Sequence, residues 1–397
     1  MPLKRLSLLF ALALATPAAL AQPKDDDTDD EEDDDDEKPE KEKAEKAPKA
    51  KKAEKQKKQK KKARDISLGG RVFVRDTITK LSSDGSQFQN RFGLESVRAN
   101  IDLRKFGWLR ASIEVSFEED GEIDLEDVYA QIKLAKPLVI RAGRFKRPIS
   151  PIALESAWSL PIIERGLLSD NVVIGDFSVP LNLGGRSEGV MASARSRSGV
   201  RPEVHVGLFN ARLPNRAGGG AEIADLGDNL LRDLYSRVAI EPIEGFAVGA
   251  SVAVVTRART VARLKSGVTG SLDLSVKTRR FRAWLEAFGG RTTMFDGAEA
   301  TGSLLALRLL LAPRFDKPIE HIRRLEPFVI FSALDPTDKS DNNRALEFGV
   351  GIAVWFRKVL RLQADFTYNA YDEQFPSENF TFIDRSTIRL QLGSQFR

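Results

Sequence analysis

From Asp65 onward, apolar and polar residues alternate with a period of two over stretch after stretch of the chain. Val97, Ala99, Ile101 and Leu103 fall on one side and Arg98, Asn100, Asp102 and Arg104 on the other, the pattern of a strand with one apolar and one polar face. Leu109, Ala111, Ile113, Val115 and Phe117 repeat the rule against Arg110, Ser112, Glu114, Ser116 and Glu118. Val128, Ala130, Ile132 and Leu134 do so against Asp127, Tyr129, Gln131 and Lys133. The clearest cases lie near the C-terminus: Leu346 to Phe356, Leu360 to Tyr368, and Ile388 to Phe396, with Arg361, Asp365 and Arg389 on the polar side. Weaker alternation falls near 66–79, 138–146, 186–197, 202–210, 233–241, 245–257, 268–278, 280–290, 302–311 and 325–335. The pattern predicts about 16 strands.

Alternation alone also fits a soluble sandwich, but these strands are longer than the usual 5–6 residues and match the 9–11 needed to cross a bilayer at a tilt. No stretch of the body reaches the roughly 18 apolar residues of a spanning helix. Open sheet edges are forbidden in hydrocarbon, so the sheet has to close, and at this strand number it encloses an aqueous channel. The expectation is an all-β fold: a transmembrane antiparallel β-barrel of about 16 strands over 65–397, preceded by a disordered charged N-terminal tail. Four Trp and four Tyr are few for two interfacial belts, so the 23 Phe have to supply most of them.

Residues 1–21 have a basic start, an apolar run from Leu6 to Ala15 and a small-x-small end at Ala19–Ala21, which reads as a signal peptide. Residues 22–64 hold an acidic block, Asp25–Glu37, then a Lys-rich block, with 16 acidic and 15 basic residues in all. Such a segment cannot bury a core and reads as a disordered tail. An exported barrel with an even strand count belongs in a bacterial outer membrane among its lipids, with the tail in the periplasm. Nucleic acid is excluded as a partner by that address. Cysteine is absent and His205 and His321 are the only histidines, so no metal site and no cofactor is expected.

The stretch Asp127-Val128-Tyr129-Ala130, followed by Val139 to Ser150 with Gly143-Arg144-Phe145-Lys146-Arg147-Pro148-Ile149-Ser150, resembles the phosphate-selective porin O/P family, where a strand runs into a Gly-x-Phe-Lys-x-Pro-Phe-Ser loop start. Leu154-Glu155, Ile163-Glu164-Arg165, Gly207-Leu208-Phe209-Asn210 and Arg237-Val238-Ala239 with Pro242 continue the resemblance in order. Ile149 stands where that family has Phe, and the chain ends Phe396-Arg397 rather than on the aromatic. The resemblance implies a 16-stranded, trimeric channel whose inward-folded loop narrows the pore.

The body carries 45 basic and 41 acidic residues, so selectivity has to come from placement rather than net charge. Parity puts Arg71, Arg75, Arg98, Arg104, Arg110, Lys133, Arg141, Arg361 and Arg389 in the lumen, with Asp102, Glu114, Asp127, Glu347 and Asp365 among them. Arg144, Lys146 and Arg147 cluster where the fifth strand meets the long 145–185 segment, the candidate constriction loop, and Arg165 lies inside it. Guanidinium groups bind phosphate or carboxylate in bidentate fashion and Lys acts as a mobile point charge. The expected anion path therefore comprises Arg98, Arg104, Arg110, Lys133, Arg141, Arg144, Lys146, Arg147 and Arg165, and the solutes are inorganic anions or other small solutes. The competing reading has these charges as solvated loop residues or in ion pairs with Glu155, Glu164 and Asp170. Leu154, Trp158, Leu160, Ile162 and Ile163 read as anchors pinning the segment to the inner wall.

No enzyme and no catalytic residue is expected. His205 sits in Pro202-Glu203-Val204-His205-Val206 on a strand with no serine-bearing nucleophile turn beside it, and His321 lies in a charged turn. The leading function is a passive diffusion channel that prefers anions of the phosphate type. The alternative is a structural barrel that ties the outer membrane to an anionic cell-wall polymer through the Lys-rich tail.

Overall fold

The computed structural model describes residues 66–81, 88–118, 123–169, 183–196, 199–210, 232–260, 263–293, 301–336, 344–356, 359–372 and 384–396. The leader and tail, 1–21 and 22–64, and the stretch 170–182 of the long segment lie outside them. The strands are β1 (Ile66–Leu81), β2 (Phe88–Lys105), β3 (Leu109–Glu118), β4 (Ile123–Lys133), β5 (Leu138–Lys146), β6 (Arg186–Arg195), β7 (Glu203–Asn210) and β8 (Arg232–Ile243). They continue as β9 (Phe246–Thr260), β10 (Arg263–Lys277), β11 (Phe281–Thr293), β12 (Thr301–Pro313), β13 (Phe315–Ile319), β14 (Ile322–Asp335), β15 (Ala345–Trp355), β16 (Leu360–Tyr371) and β17 (Arg385–Phe396).

Apart from β12 and β13, strands adjacent in sequence pair antiparallel, and β1 pairs with both β2 and β17, so the sheet closes on itself. β12 and β13 are two pieces of one wall position, since both pair with β14, which makes the barrel 16-stranded, as the alternation predicts. Connections are short at the rim where β1 starts and β17 ends, such as 244–245 and 320–321, and run as long as 147–185 at the other.

The outer wall is apolar: Val190, Leu208, Val252, Leu272, Leu305, Phe348 and Leu390 are all exposed. In water this band would be insoluble, whereas moving each such side chain into hydrocarbon stabilises by about 1.5–3 kcal/mol. Exposed Phe106, Trp108, Phe281, Phe315 and Phe396 ring the short-turn rim, and Phe88, Phe92, Phe117 and Tyr368 lie toward the opposite one. Phe thus dominates both belts.

Among the register shifts of the described strands, two bulges near the lumen charges interrupt the parity of β2 and β4. At the first, the register of β1 with β2 shifts between Phe73 and Val74, which pair with Ser96 and Leu94. Outward positions are therefore even-numbered through Leu94 and odd-numbered from Val97, which is why 88–95 carries no continuous alternation with the rest of β2. At the second, Ile113 pairs with Val128 but Val115 with Leu125, so Glu114 faces both Glu126 and Asp127. Each bulge leaves an additional carboxylate, Glu95 or Glu126, reaching lumen-facing arginines.

Candidate functional site: the lumen and its inward segment

The segment after β5 turns into the barrel. Ser150 caps the single helical turn Pro151–Leu154 through a hydrogen bond from Ala153 N, with Pro151 in its first turn. From there the chain follows the inner wall. The Ile149 carbonyl accepts from Ser271 Oγ at 3.0 Å. Glu286 accepts from Ser150 Oγ at 2.7 Å and from Ile152 N at 3.1 Å. Arg308 Nη1 donates to the Arg165 carbonyl and to Ser169 Oγ, at 2.6 and 2.7 Å.

Arg361 Nη1 donates to the carbonyls of Ala157, Trp158 and Leu160 at 2.6–3.0 Å, and Gln363 to that of Pro161 at 2.7 Å. Glu164 receives Arg75 at 2.8 Å and Arg389, and Arg71 Nη1 donates to Ser156 Oγ at 2.8 Å. Residues 149–169 are thereby fastened to the wall from β9 round to β1. Gly166 is required in this path. Its φ of +77° is left-handed, and a Cβ there would meet Glu347 Oε2 at 2.5 Å.

Apolar packing completes the attachment. Ile152, Leu160 and Ile162 pack with Trp284, Leu310, Phe328 and Ile330, while Ile149, Leu167 and Leu168 pack with Phe145, Phe209, Tyr235, Phe288 and Leu334. Ile163 is buried, Trp158 stacks under Arg361 with 4.9 Å between guanidinium and ring, and Leu154 is 40% exposed and faces a cavity instead.

That cavity, about 510 Å³, lies between the segment and the bare wall of β1–β7. Arg71, Arg98 and Arg186 in it are neutralised by Glu114, Glu126 and Asp127 at 3.3 Å or less. Three other cations are not. Arg141 gives Nε and Nη2 to Gln131 Oε1 at 3.3 and 2.9 Å and stacks 4.3 Å from the Tyr129 ring centre. Lys146 donates to the Ala153 carbonyl at 2.6 Å. Arg165 donates to the carbonyls of Ile152 and Glu155, at 3.2 and 2.8 Å. Among the described residues these three meet only neutral acceptors, so they carry the positive excess of the cavity.

Burial and the neighbouring guanidinium groups of Arg98, Arg186 and Arg308 lower the Arg165 pKa to about 10. Burial works against the Glu155 carboxylate, but Lys277 beside it holds it below the usual carboxylate range, as Arg389 and Arg75 do for Glu164.

The remaining sequence-predicted site residues are dispersed. Arg98 lies in the cavity, paired with Glu114 and Glu126. Arg110 pairs with Asp102 at 2.9 Å, and Arg104 and Lys133 are exposed near the short-turn rim. Two expectations are corrected. Arg144 lies on the outer wall: it sits opposite Glu188, on the side of exposed Val190, and binds Glu188 at 2.9 Å and the Leu125 carbonyl at 2.8 Å. Arg147 is fully buried, donating to Tyr235 Oη at 2.7 Å and the Gly185 carbonyl at 3.1 Å, so no solute reaches it.

Of the carboxylates in the ion-pair reading, Glu155 binds Lys277 and Glu164 binds Arg75 and Arg389; Asp170 lies outside the described residues. Arg186 escaped sequence reasoning. Its parity with Glu188 and Val190 points outward, but as the first residue of β6 it reaches inward to Glu126 and Asp127.

A closed 16-stranded antiparallel barrel with an apolar outer wall, a charged lumen and a segment folded along the inner wall has the architecture of outer-membrane porins. The solved structures that it resembles are of that kind. The anion-selective porin from Comamonas acidovorans aligns with a TM-score of 0.59 at 12% identity, over 83% of this chain and 99% of that one. The outer membrane channel DcaP of Acinetobacter baumannii aligns at 0.59 and 13%, and Salmonella typhi OmpF at 0.61 and 13%, each over 83% of this chain and 97% of the other. No family model and no curated protein sequence matches the chain, so the comparisons carry the fold and not the narrower phosphate-selective resemblance.

Proposed function

We propose that the protein is an outer-membrane porin, a passive diffusion channel that prefers small anions, with inorganic phosphate among them. The observation that carries this is the cavity's unneutralised set of Arg141, Lys146 and Arg165, beside three arginines whose charge is cancelled. Rings and clusters of basic groups lower the barrier for anions, and holding them by neutral acceptors leaves their field available to a passing ion. The segment 147–169 is the constriction, because it fills one side of the lumen and confines the path to the other. The short-turn rim faces the periplasm and the long connections face outward.

The protein works as a homotrimer in this reading. Arg144 and Glu188 form an ion pair on the outer wall, and charges facing lipid cost about 2–4 kcal/mol at the bilayer midplane, so contact with another copy would relieve them. One of the similar solved structures, OmpT of Vibrio cholerae, is described as a trimer form. Arg144→Ala with Glu188→Ala is expected to change the ratio of trimer to monomer on unheated gels.

The test of function is the zero-current potential of the purified protein in a planar bilayer under a salt gradient, with phosphate titrated as a blocker of chloride current. Anion selectivity that falls in Arg141→Gln, Lys146→Gln and Arg165→Gln supports the reading. Cation selectivity, or no conductance, removes it.

A further inference from the structure

The barrel brings together three side chains that no single spacing in the sequence connects. Ser193 on β6 and His205 on β7 are direct cross-strand partners. Ser193 Oγ lies 2.8 Å from His205 Nδ1, and His205 Nε2 lies 3.0 Å from Glu203 Oε1. Glu203 and His205 are two residues apart on one strand and so share its inner face. All three line the cavity described above, and the His205 side chain is 16% exposed, so a small molecule in the lumen can reach it.

With the imidazole neutral, the hydrogen-bond chemistry has one consistent assignment. A carboxylate only accepts, so Glu203 fixes the imidazole proton on Nε2 and leaves the lone pair of Nδ1 toward the serine hydroxyl. The remaining charged neighbours do not upset this. Arg237, opposite His205 on β8, is engaged by Asp273 at 2.9 Å, and Arg195 reaches Glu203 only at 3.8 Å. A nucleophile with a base within hydrogen-bond reach, the base oriented by a third group, is the arrangement of covalent acyl transfer. The strands hold it in place without a loop.

We propose that Ser193, His205 and Glu203 form a relay that hydrolyses small carboxylic esters entering the lumen. Ser193 Oγ bonds to the ester carbonyl carbon as its proton passes to His205 Nδ1, and the carbonyl electron pair moves onto oxygen. Arg141, which lines the same cavity and engages Gln131 through Nε and Nη2, supplies positive charge for that oxyanion. The alkoxy C–O bond breaks, and the leaving oxygen takes the proton from Nδ1 to depart as an alcohol. A water molecule, deprotonated by Nδ1, then attacks the acyl carbon, and Ser193 leaves with its proton restored. One ester and one water give one alcohol and one carboxylic acid, whose anion is released into the cation-rich cavity.

The test uses the purified full chain in detergent with p-nitrophenyl acetate and p-nitrophenyl butyrate, beside a fluorophosphonate label read by peptide mass. Hydrolysis above the detergent blank is expected, lost by roughly 10²-fold or more in Ser193→Ala and His205→Gln, and partly in Glu203→Gln. The label is expected on Ser193 of the unaltered protein. Retention of the folded band on unheated gels separates loss of chemistry from loss of the barrel. A rate equal to the blank, an undiminished rate in folded Ser193→Ala, or a Ser193 peptide without label overturns the proposal and leaves the trio a polar cross-strand contact. The labelling result stands even where the variants fail to fold.

Discussion

The two sides of the lumen use the same chemistry to opposite ends. On the wall from β8 to β14 three buried guanidinium groups each meet a carboxylate: Arg237 with Asp273, Arg282 with Glu326, and Arg308 with Glu286. These groups are almost fully buried, and two of them also hold the inward segment: Arg308 donates to the Arg165 carbonyl and Arg282 to that of Ser159. On the wall from β1 to β7 the charges surround a cavity, and Arg141, Lys146 and Arg165 have neutral acceptors only. Paired charges under a dry segment serve as fasteners, whereas unpaired charges beside water set a potential. The lesson is that lumen-facing arginine is not one category: its partner decides whether it holds the protein together or acts on a solute.

The largest effect expected from breaking this contrast is at Arg308. Arg308→Ala leaves Glu286 buried without its cation and removes two donors from the segment. Loss of one partner of a buried pair costs about 3–5 kcal/mol. The folded band on unheated gels should disappear at a lower temperature, and single-channel conductance should rise and become noisier as the segment comes loose. An unchanged conductance would show that Arg308 does not hold the constriction.

Next in size is selectivity. Arg141→Gln, Lys146→Gln and Arg165→Gln combined should move the zero-current potential toward the cation side with little change in thermal stability, because none of the three leaves a carboxylate unpaired. Arg71→Gln, whose charge Glu114 cancels, leaves that carboxylate to Arg98 alone, so its shift should reflect an under-compensated negative group rather than a lost free positive one. Equal shifts from Arg71→Gln and Arg165→Gln would contradict the distinction between cancelled and uncancelled cations.

Much of this was legible in the sequence, and the failures have physical causes. Period-two alternation placed the strands because each has one face in hydrocarbon, and the long segment after β5 stood out by its length. What alternation could not show is a bulge: Glu126 and Glu95 reach the lumen only because an extra residue shifts the parity of β4 and β2. Arg144 was misassigned from clustering. Three positions from Arg141 on one strand, it had to face the other way, so parity already held the answer. Arg147 and Arg186 sit where strand gives way to loop, and there parity has no authority. Ser193 and His205 are partners across two strands, a relation fixed by register alone.

A smaller effect, in acid and base, separates the segment's own ionisable groups. The Glu164 carboxyl is held below the usual range by Arg389 and Arg75. A depressed carboxyl contributes stability that is present above its unfolded value and is lost as pH falls through its lower folded one. Acidification below the ordinary carboxylate range should therefore loosen the anchor to β1 and β17 and raise current noise, an effect absent in Glu164→Gln. Arg165 shows the opposite edge. A base whose pKa is lowered to about 10 keeps its charge at neutral pH and gives it up as pH climbs through that value, well before an ordinary arginine would. Anion selectivity should then fall across pH 10 in the unaltered channel, and fall less steeply in Arg165→Gln, where only the lysines still lose charge.

The smallest expected effect lies in a single backbone position, and it tests whether the segment's path is fixed by the wall. Gly166 has φ +77°, and an added Cβ would meet the Glu347 carboxylate at 2.5 Å, while Glu347 Oε2 accepts from Leu167 N at 3.1 Å and from Ser332 Oγ at 2.6 Å. Gly166→Ala combines a left-handed backbone with displacement of a buried carboxylate, which should destabilise by about 1–3 kcal/mol. Gly107 has a similar φ, +71°, in the β2–β3 turn, with open space around its position. Gly107→Ala therefore carries the backbone strain without the collision. If the wall fixes the segment, Gly166→Ala should lower the unfolding temperature more than Gly107→Ala and alone should alter conductance. Matching losses in both would mean that left-handed geometry, and not contact with Glu347, accounts for the effect.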